Sequence, residues 1–250
     1  MFSLFCMELT TLLFLSLLLI VAMLYSSIGH GGASGYLALM GLFAIETHYM
    51  KGSALLLNIF VSIFAFYQYW RGGHFRWKLF LPFALGSIPM AFLGGTIDLD
   101  PVVYKRILGI CLLFVIVRLS GLVGGDMGKP REINYLLSAF IGLTLGFFSG
   151  LIGIGGGIIL SPIILLLGWA NIKETAAISA LFIFVNSIAG LSGLAIDGAN
   201  LHPMILVWVA IAFLGGSIGA YSGAKRMDNV TLKYVLSGVL FLASIKLIFI

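Results

Sequence analysis

Of 250 residues, 61% are hydrophobic and only 9% charged, and mean hydropathy is +1.15. Soluble domains carry about a quarter charged residues, and disordered chains combine charge with low hydrophobicity, so both classes are excluded. What remains is an all-α polytopic membrane protein, for which spans of about 20 residues allow roughly eight to ten crossings. The 14 Lys and Arg against 9 Asp and Glu stand in short loops, where they set orientation and form no nucleic-acid footprint. Cys6 and Cys111 lie in apolar runs and read as neither a disulfide nor a metal pair.

In chain order, the opening run has no Lys or Arg before its apolar core and no A-x-A-like cleavage site. It therefore reads as the first span and not as a leader. Long apolar segments fall near 9–28, 52–70, 79–97, 102–121, 133–152, 175–196, 203–223 and 230–250. Two shorter stretches, near 34–45 and 157–169, each follow a glycine-rich break. They are expected to be half-helices that cross together with their breaks, or else re-entrant pieces.

The positive-inside rule separates these alternatives. If both short segments return to the side they left, the Lys and Arg divide seven against seven. If both cross, Arg71, Arg76, Lys78, Arg118, Lys129, Arg131, Lys173, Lys225, Arg226 and Lys233 share one side, leaving Lys51, Lys105, Arg106 and Lys246 on the other. The ten-against-four division predicts crossing segments, an amino terminus outside and a cytoplasmic linker.

The halves resemble each other. Ile28–Ala33 matches Ile152–Gly157 at an offset of 124, and Gly86, Gly94 and Gly109 match Gly215, Gly223 and Gly238 at 129. A competing register pairs Phe92–Gly95 with Phe213–Gly216 at 121. Five elements per copy is an odd number, so the second copy is expected upside down. The organisation predicted is a first repeat at 1–121, a linker at 122–132 and a second repeat at 133–250. Inverted repeats with broken helices are the architecture of secondary transporters.

The breaks carry the sharpest signal. Gly29, Gly31, Gly32 and Gly35 surround His30 and Ser34; Gly153, Gly155, Gly156 and Gly157 form the second run. Glycine lets the chain turn, and a helix starting just beyond points free N–H groups and its positive dipole end at that spot. Two such ends make an anion site; the competing reading is close helix packing, which is the expectation for Gly86, Gly109, Gly215 and Gly238. His30 would donate to an anion, take up a proton or satisfy a nearby carbonyl. Asn58 and Asn186, placed well inside spans, need partners there, either a solute or a neighbouring helix. Ser53, Ser161, Ser179 and Ser187 are weaker candidates, since serine can satisfy its own helix carbonyls. Tyr67, Gln68, Tyr69, Trp70 and Trp77 read mainly as an interfacial belt. No carboxylate holds a mid-span position, and no His/Cys cluster, Ser-His-Asp set or Walker loop is present. The expectation is a non-enzyme without cofactor or metal.

The segments SSIGHGGASGYLALMGL (26–42) and FSGLIGIGGGIILSPIILLLGW (148–169), in a two-half chain, resemble the TauE/SafE family of sulfite exporters and sulfonate permeases. The resemblance implies a small sulfur-containing anion as substrate, with a proton or sodium as coupling ion in some members. The expected site is Gly29, His30, Gly31, Gly32, Ser34, Asn58, Gly153, Gly155, Gly156, Gly157, Ser161 and Asn186. The expected location is the inner (plasma) membrane, with the lipid bilayer as surroundings. The alternatives are an uncoupled, channel-like facilitator and a non-transporting membrane subunit.

Overall fold

A computed structural model describes residues 2–119 and 131–225. Nearly all of the predicted linker and the predicted span at 230–250 lie outside the described residues. The described elements are α1 (Phe2–Ser26), α2 (Ala33–Leu42), α3 (Thr47–Arg71), α4 (Trp77–Thr96), α5 (Pro101–Leu119), α6 (Tyr135–Ile152), α7 (Gly157–Leu166), α8 (Ile172–Leu194), a single 3₁₀ turn at Ala195–Asp197, and α9 (Ile205–Lys225). The chain is an all-α, multi-pass membrane protein. Among the described residues, six helices (α1, α3, α4, α6, α8 and α9) are long and apolar enough to cross a bilayer. The 19-residue α5 carries Lys105, Arg106 and Arg118.

Both short helices have ten residues, about 15 Å of rise, which is half a bilayer. Each follows the unwound glycines of its break. Beyond α2, Phe43 packs edge-on against Phe14, halfway along α1, with centroids 5.3 Å apart. Beyond α7, the Gly168 carbonyl accepts the Arg131 N–H at 2.6 Å, at the end where α6 begins. α2 is apolar on every side and buried from Ala33 to Gly41, the pattern of a helix enclosed by others. It sits in an apolar core shared with α1, α3 and α5. α7 shares a second core with α4, α6 and α8.

Glycine rows set the closest contacts. Gly142, Gly146 and Gly150 recur every four residues and so share one face of α6. Each presses against a carbonyl of α4, those of Phe83, Ser87 and Ala91 in turn. Gly86 and Gly94 of α4 meet the Ala139 and Phe147 carbonyls in return. Gly215, Gly219 and Gly223 of α9 lie in the same way on the Leu19 and Met23 carbonyls of α1 and the Ser27 carbonyl just beyond it. Backbones approach this closely only where no Cβ intervenes, and dispersion gained there holds membrane helices together. Gly86 and Gly215 thus pack helices, as expected; Gly238 lies outside the described residues.

One boundary and one surface assignment differ from expectation. α3 begins at Thr47 and not at residue 52, so Lys51 belongs to a buried helical turn and not to a loop. Its ammonium donates to the carbonyls of Gly95 at 2.9 Å, Ile97 at 3.0 Å and Gly94 at 3.4 Å. These are carbonyls at the end of α4, where the helix dipole is negative and no intrahelical donor remains. Tyr69 leaves the interfacial belt: it is 3% exposed, whereas Trp70 and Trp77 are 53% and 57% exposed.

Because a Cβ at Gly146 would collide with the Ser87 carbonyl, Gly146→Val must separate α4 from α6. Overpacking costs about 1–3 kcal/mol in ordinary cores, and backbone cannot rotate aside, so a melting loss on the order of 10 °C is expected. Thermal unfolding of the purified variant in detergent checks this; an unchanged midpoint would reject the contact.

Candidate functional site

The two breaks converge on one side chain. Asn58, fully buried on α3, accepts the Ala33 N–H on Oδ1 at 3.1 Å, at the start of α2. Its Nδ2 donates to the Ile154 carbonyl of the second break and to Ser187 Oγ on α8, both at 3.4 Å. A single amide thereby ties a half-helix N-terminus to the opposite break. The acceptor bond is of ordinary length, whereas the donor bonds sit at the long limit and are weak.

The glycines beside this amide are required by space as well as by conformation. A Cβ at Gly31 would lie 2.5 Å from Asn58 Oδ1, and one at Gly155 would lie 2.5 Å from Asn58 Nδ2. Both would also lie 2.9 Å from Ile183 Cγ2. Gly32 and Gly156, the residues that cap α2 and α7, are left-handed with φ of 100° and 72°. Neither glycine brings a capping side chain of its own, and Asn58 Oδ1 serves the start of α2 in its place. The remaining expected glycines pack: Gly29 on Ala176, Gly153 on Lys51 and Gly157 on Ile183.

A second cluster joins the halves beside the first. His30 Nδ1 lies 3.0 Å from the Ile28 carbonyl, and Nε2 lies 3.0 Å from Ser161 Oγ on α7. Ser161 Oγ also reaches Ser179 Oγ on α8 at 2.8 Å and the Gly157 carbonyl at 3.1 Å. All three side chains are buried.

Two expected residues stand apart. Ser34 donates to the Tyr25 hydroxyl at 2.8 Å, so its side chain faces α1 and not Asn58. Asn186 donates to the Phe182 carbonyl of its own helix at 2.8 Å, and its Oδ1 is buried with no hydrogen-bond partner.

Three tyrosines complete the breaks without having been singled out for this role from the sequence. Tyr36 donates to the Gly31 carbonyl at 2.7 Å, Tyr69 to Ser27 at 3.0 Å and Tyr104 to Ile152 at 2.9 Å. Unwound backbone has carbonyls to satisfy and no water at this depth, so phenols supply the donors. At the Tyr104 end lies a cavity of about 220 Å³ whose wall includes Lys51, Asp98, Asn200 and Leu151. Only polarity near a break would have hinted at these roles.

The sulfite exporter TauE/SafE family model matches residues 13–247. The chain belongs to this family. It is 34% identical over 237 residues to a probable membrane transporter protein, y4hK, of Sinorhizobium fredii, covering 92% of this chain and 94% of that protein. It is 27% identical to a probable membrane transporter protein, YunE, of Bacillus subtilis, covering 79% and 80%. No solved structure was found to match. The chain is a membrane transporter and not an enzyme.

Asn58→Leu keeps similar volume while leaving the Ala33 N–H and the Ile154 carbonyl unpaired. Each buried orphan costs about 1–3 kcal/mol, so melting should fall by about 5–10 °C in detergent. Asn186→Leu removes one bond within its own helix and should cost less. Equal losses for the two variants would show that the bridge does not hold the breaks.

Proposed function

We propose that the chain carries a small sulfur-containing anion (sulfite, thiosulfate or an organosulfonate) across the plasma membrane by alternating access. The observation that carries this reading is the amide of Asn58 lying between the two breaks, against the first turn of α2 and the run that leads into α7. Half-helix N-termini present unpaired N–H groups and positive dipole ends, which favour an anion without a buried cation that would slow release. The long Nδ2 contacts of Asn58 are easily exchanged for a solute oxygen. The family's description as sulfite exporters supports sulfur oxyanions as the class.

In this reading the donors are backbone N–H groups around Gly31, Gly32, Gly155 and Gly156, with Asn58 Nδ2. His30 and Ser161 border the same volume. The chain is two inverted repeats, 1–121 and 133–250, joined by a cytoplasmic linker, with the amino terminus outside. The order of elements supports this: a long helix, a glycine break, a ten-residue helix and two long helices occur twice. So does the packing, with α4 on α6 as α9 lies on α1. Rocking of one bundle against the other then exposes the breaks to each side in turn.

Gly31→Val and Gly155→Val should each abolish uptake of labelled anion into proteoliposomes while the protein still inserts. Unimpaired uptake by both defeats the site. A thermal-shift screen of sulfite, thiosulfate, sulfate, isethionate and sulfoacetate on the wild type identifies the anion, since stabilisation rises with ligand concentration over its dissociation constant.

A further inference from the structure

We propose that His30 is the group that binds and releases the coupling proton, so that anion movement is linked to proton movement; this rests on the transport reading above. The Ile28 carbonyl can only accept, so the hydrogen of a neutral His30 ring sits on Nδ1. Nε2 is then an acceptor, and Ser161 donates to it. Ser179 in turn donates to Ser161, giving a directed chain Ser179 to Ser161 to His30 across three elements.

Protonation at Nε2 reverses one link without breaking the cluster. The imidazolium N–H donates to Ser161 Oγ. The Ser161 hydroxyl proton swings to the Gly157 carbonyl, already 3.1 Å away. Ser161 is thus a rotor that satisfies either charge state with no movement of heavy atoms, which a purely structural contact would not require. The Gly157 carbonyl belongs to the first turn of α7, so the reversal also changes the hydrogen bonding at the break. A cation on His30 then faces the region where the anion is held, and it favours joint occupancy by anion and proton. The proton comes from water at the face to which the break is open and returns to water at the other.

The surroundings leave His30 as the group that can perform this exchange. On α1, Tyr25 is engaged with Ser34; on α3, Tyr69 is engaged with the Ser27 carbonyl. α7 has no charged residue. The charged residues of α8, Lys173 and Glu174, lie in its first turn, where Glu174 faces Arg76 at 3.7 Å. The corresponding position of the second break is Ile154, so one break alone carries a titratable side chain.

The test uses purified wild type and His30→Gln in proteoliposomes with labelled isethionate and labelled thiosulfate, both fully ionised over the working pH range. Wild type should exchange label across the membrane without a gradient and should accumulate it tenfold or more under an acid-directed pH gradient. His30→Gln should lose the accumulation, and whatever exchange it retains should no longer respond to the pH gradient. Wild-type exchange that ignores the pH gradient, or His30→Gln accumulation equal to wild type, overturns the coupling role and leaves anion transport standing. Loss of exchange by the wild type with every anion instead removes the transport reading. Independently of any anion, ¹⁵N spectra of histidine-labelled protein should show a ring absent from His30→Gln whose Nε2 gains a proton as the pH is lowered. An Nε2 that never gains one overturns the proposal.

Discussion

Peptide groups inside a bilayer have no water to fall back on, and this constraint organises the structure. Helices meet it internally, but each glycine break suspends that solution for several residues. The missing partners arrive from elsewhere: the amide of Asn58 and the phenols of Tyr36, Tyr69 and Tyr104. Lys51 does the same for the last carbonyls of α4. The elements that surround the breaks are those that bring such groups. α3 alone supplies Lys51, Asn58 and Tyr69 and touches both breaks along its length. Several of the buried polar side chains thus stand where the backbone is unwound, while Ser87, Ser138 and Asn186 bond to carbonyls of their own helix or its cap.

Glycine serves two opposite purposes in the same chain. In the breaks it adopts left-handed conformations and leaves room for Asn58. In α6 and α9 it is ordinary helix, and its missing side chain lets carbonyl and helix backbone touch. The second use makes α4 with α6, and α1 with α9, closely fitted pairs that resist sliding. The first use leaves hydrogen bonds of up to 3.4 Å between the breaks and Asn58. On the proposed rocking mechanism, the stiff pairs would give tight contact within the moving bodies and the weakly tied half-helices exchangeable contact at the solute.

Much of this was legible from the residues. Hydropathy and glycine spacing located six long helices and both short ones, because length in a membrane is fixed by bilayer thickness, whereas the segment expected at 102–121 carries Lys105, Arg106 and Arg118 and is not among those six. The breaks were visible because several glycines in succession have no use in a continuous helix. Partnership was less visible. Lys51 was assigned to a loop because a charge ordinarily marks a span end, and the α4 carbonyls that hold it are distant in sequence. Tyr69 looked like a belt residue for the same reason. Ser34 was grouped with its glycine neighbours, yet helical periodicity turns it toward Tyr25 on α1. Asn58 and Asn186 looked alike, and only packing distinguishes a bridge from an amide that folds back on its own helix.

The two breaks are similar in backbone and unlike in chemistry, and this difference carries functional weight. The first holds His30 against two serines; the second holds Ile154, with Lys51 and Tyr104 near its outer end. Two chemically identical cradles would bind a solute equally well from either side and link its passage to nothing else. Linkage needs one group whose state changes with the solute's, and it must sit where both faces gain access in turn. On the proposed proton coupling, a histidine hydrogen-bonded to the opposite half meets both requirements, since an opening between the halves would disturb the His30–Ser161 contact. On that proposal the same contact would report on protonation and on conformation, which is the minimum that coupled transport demands of a site.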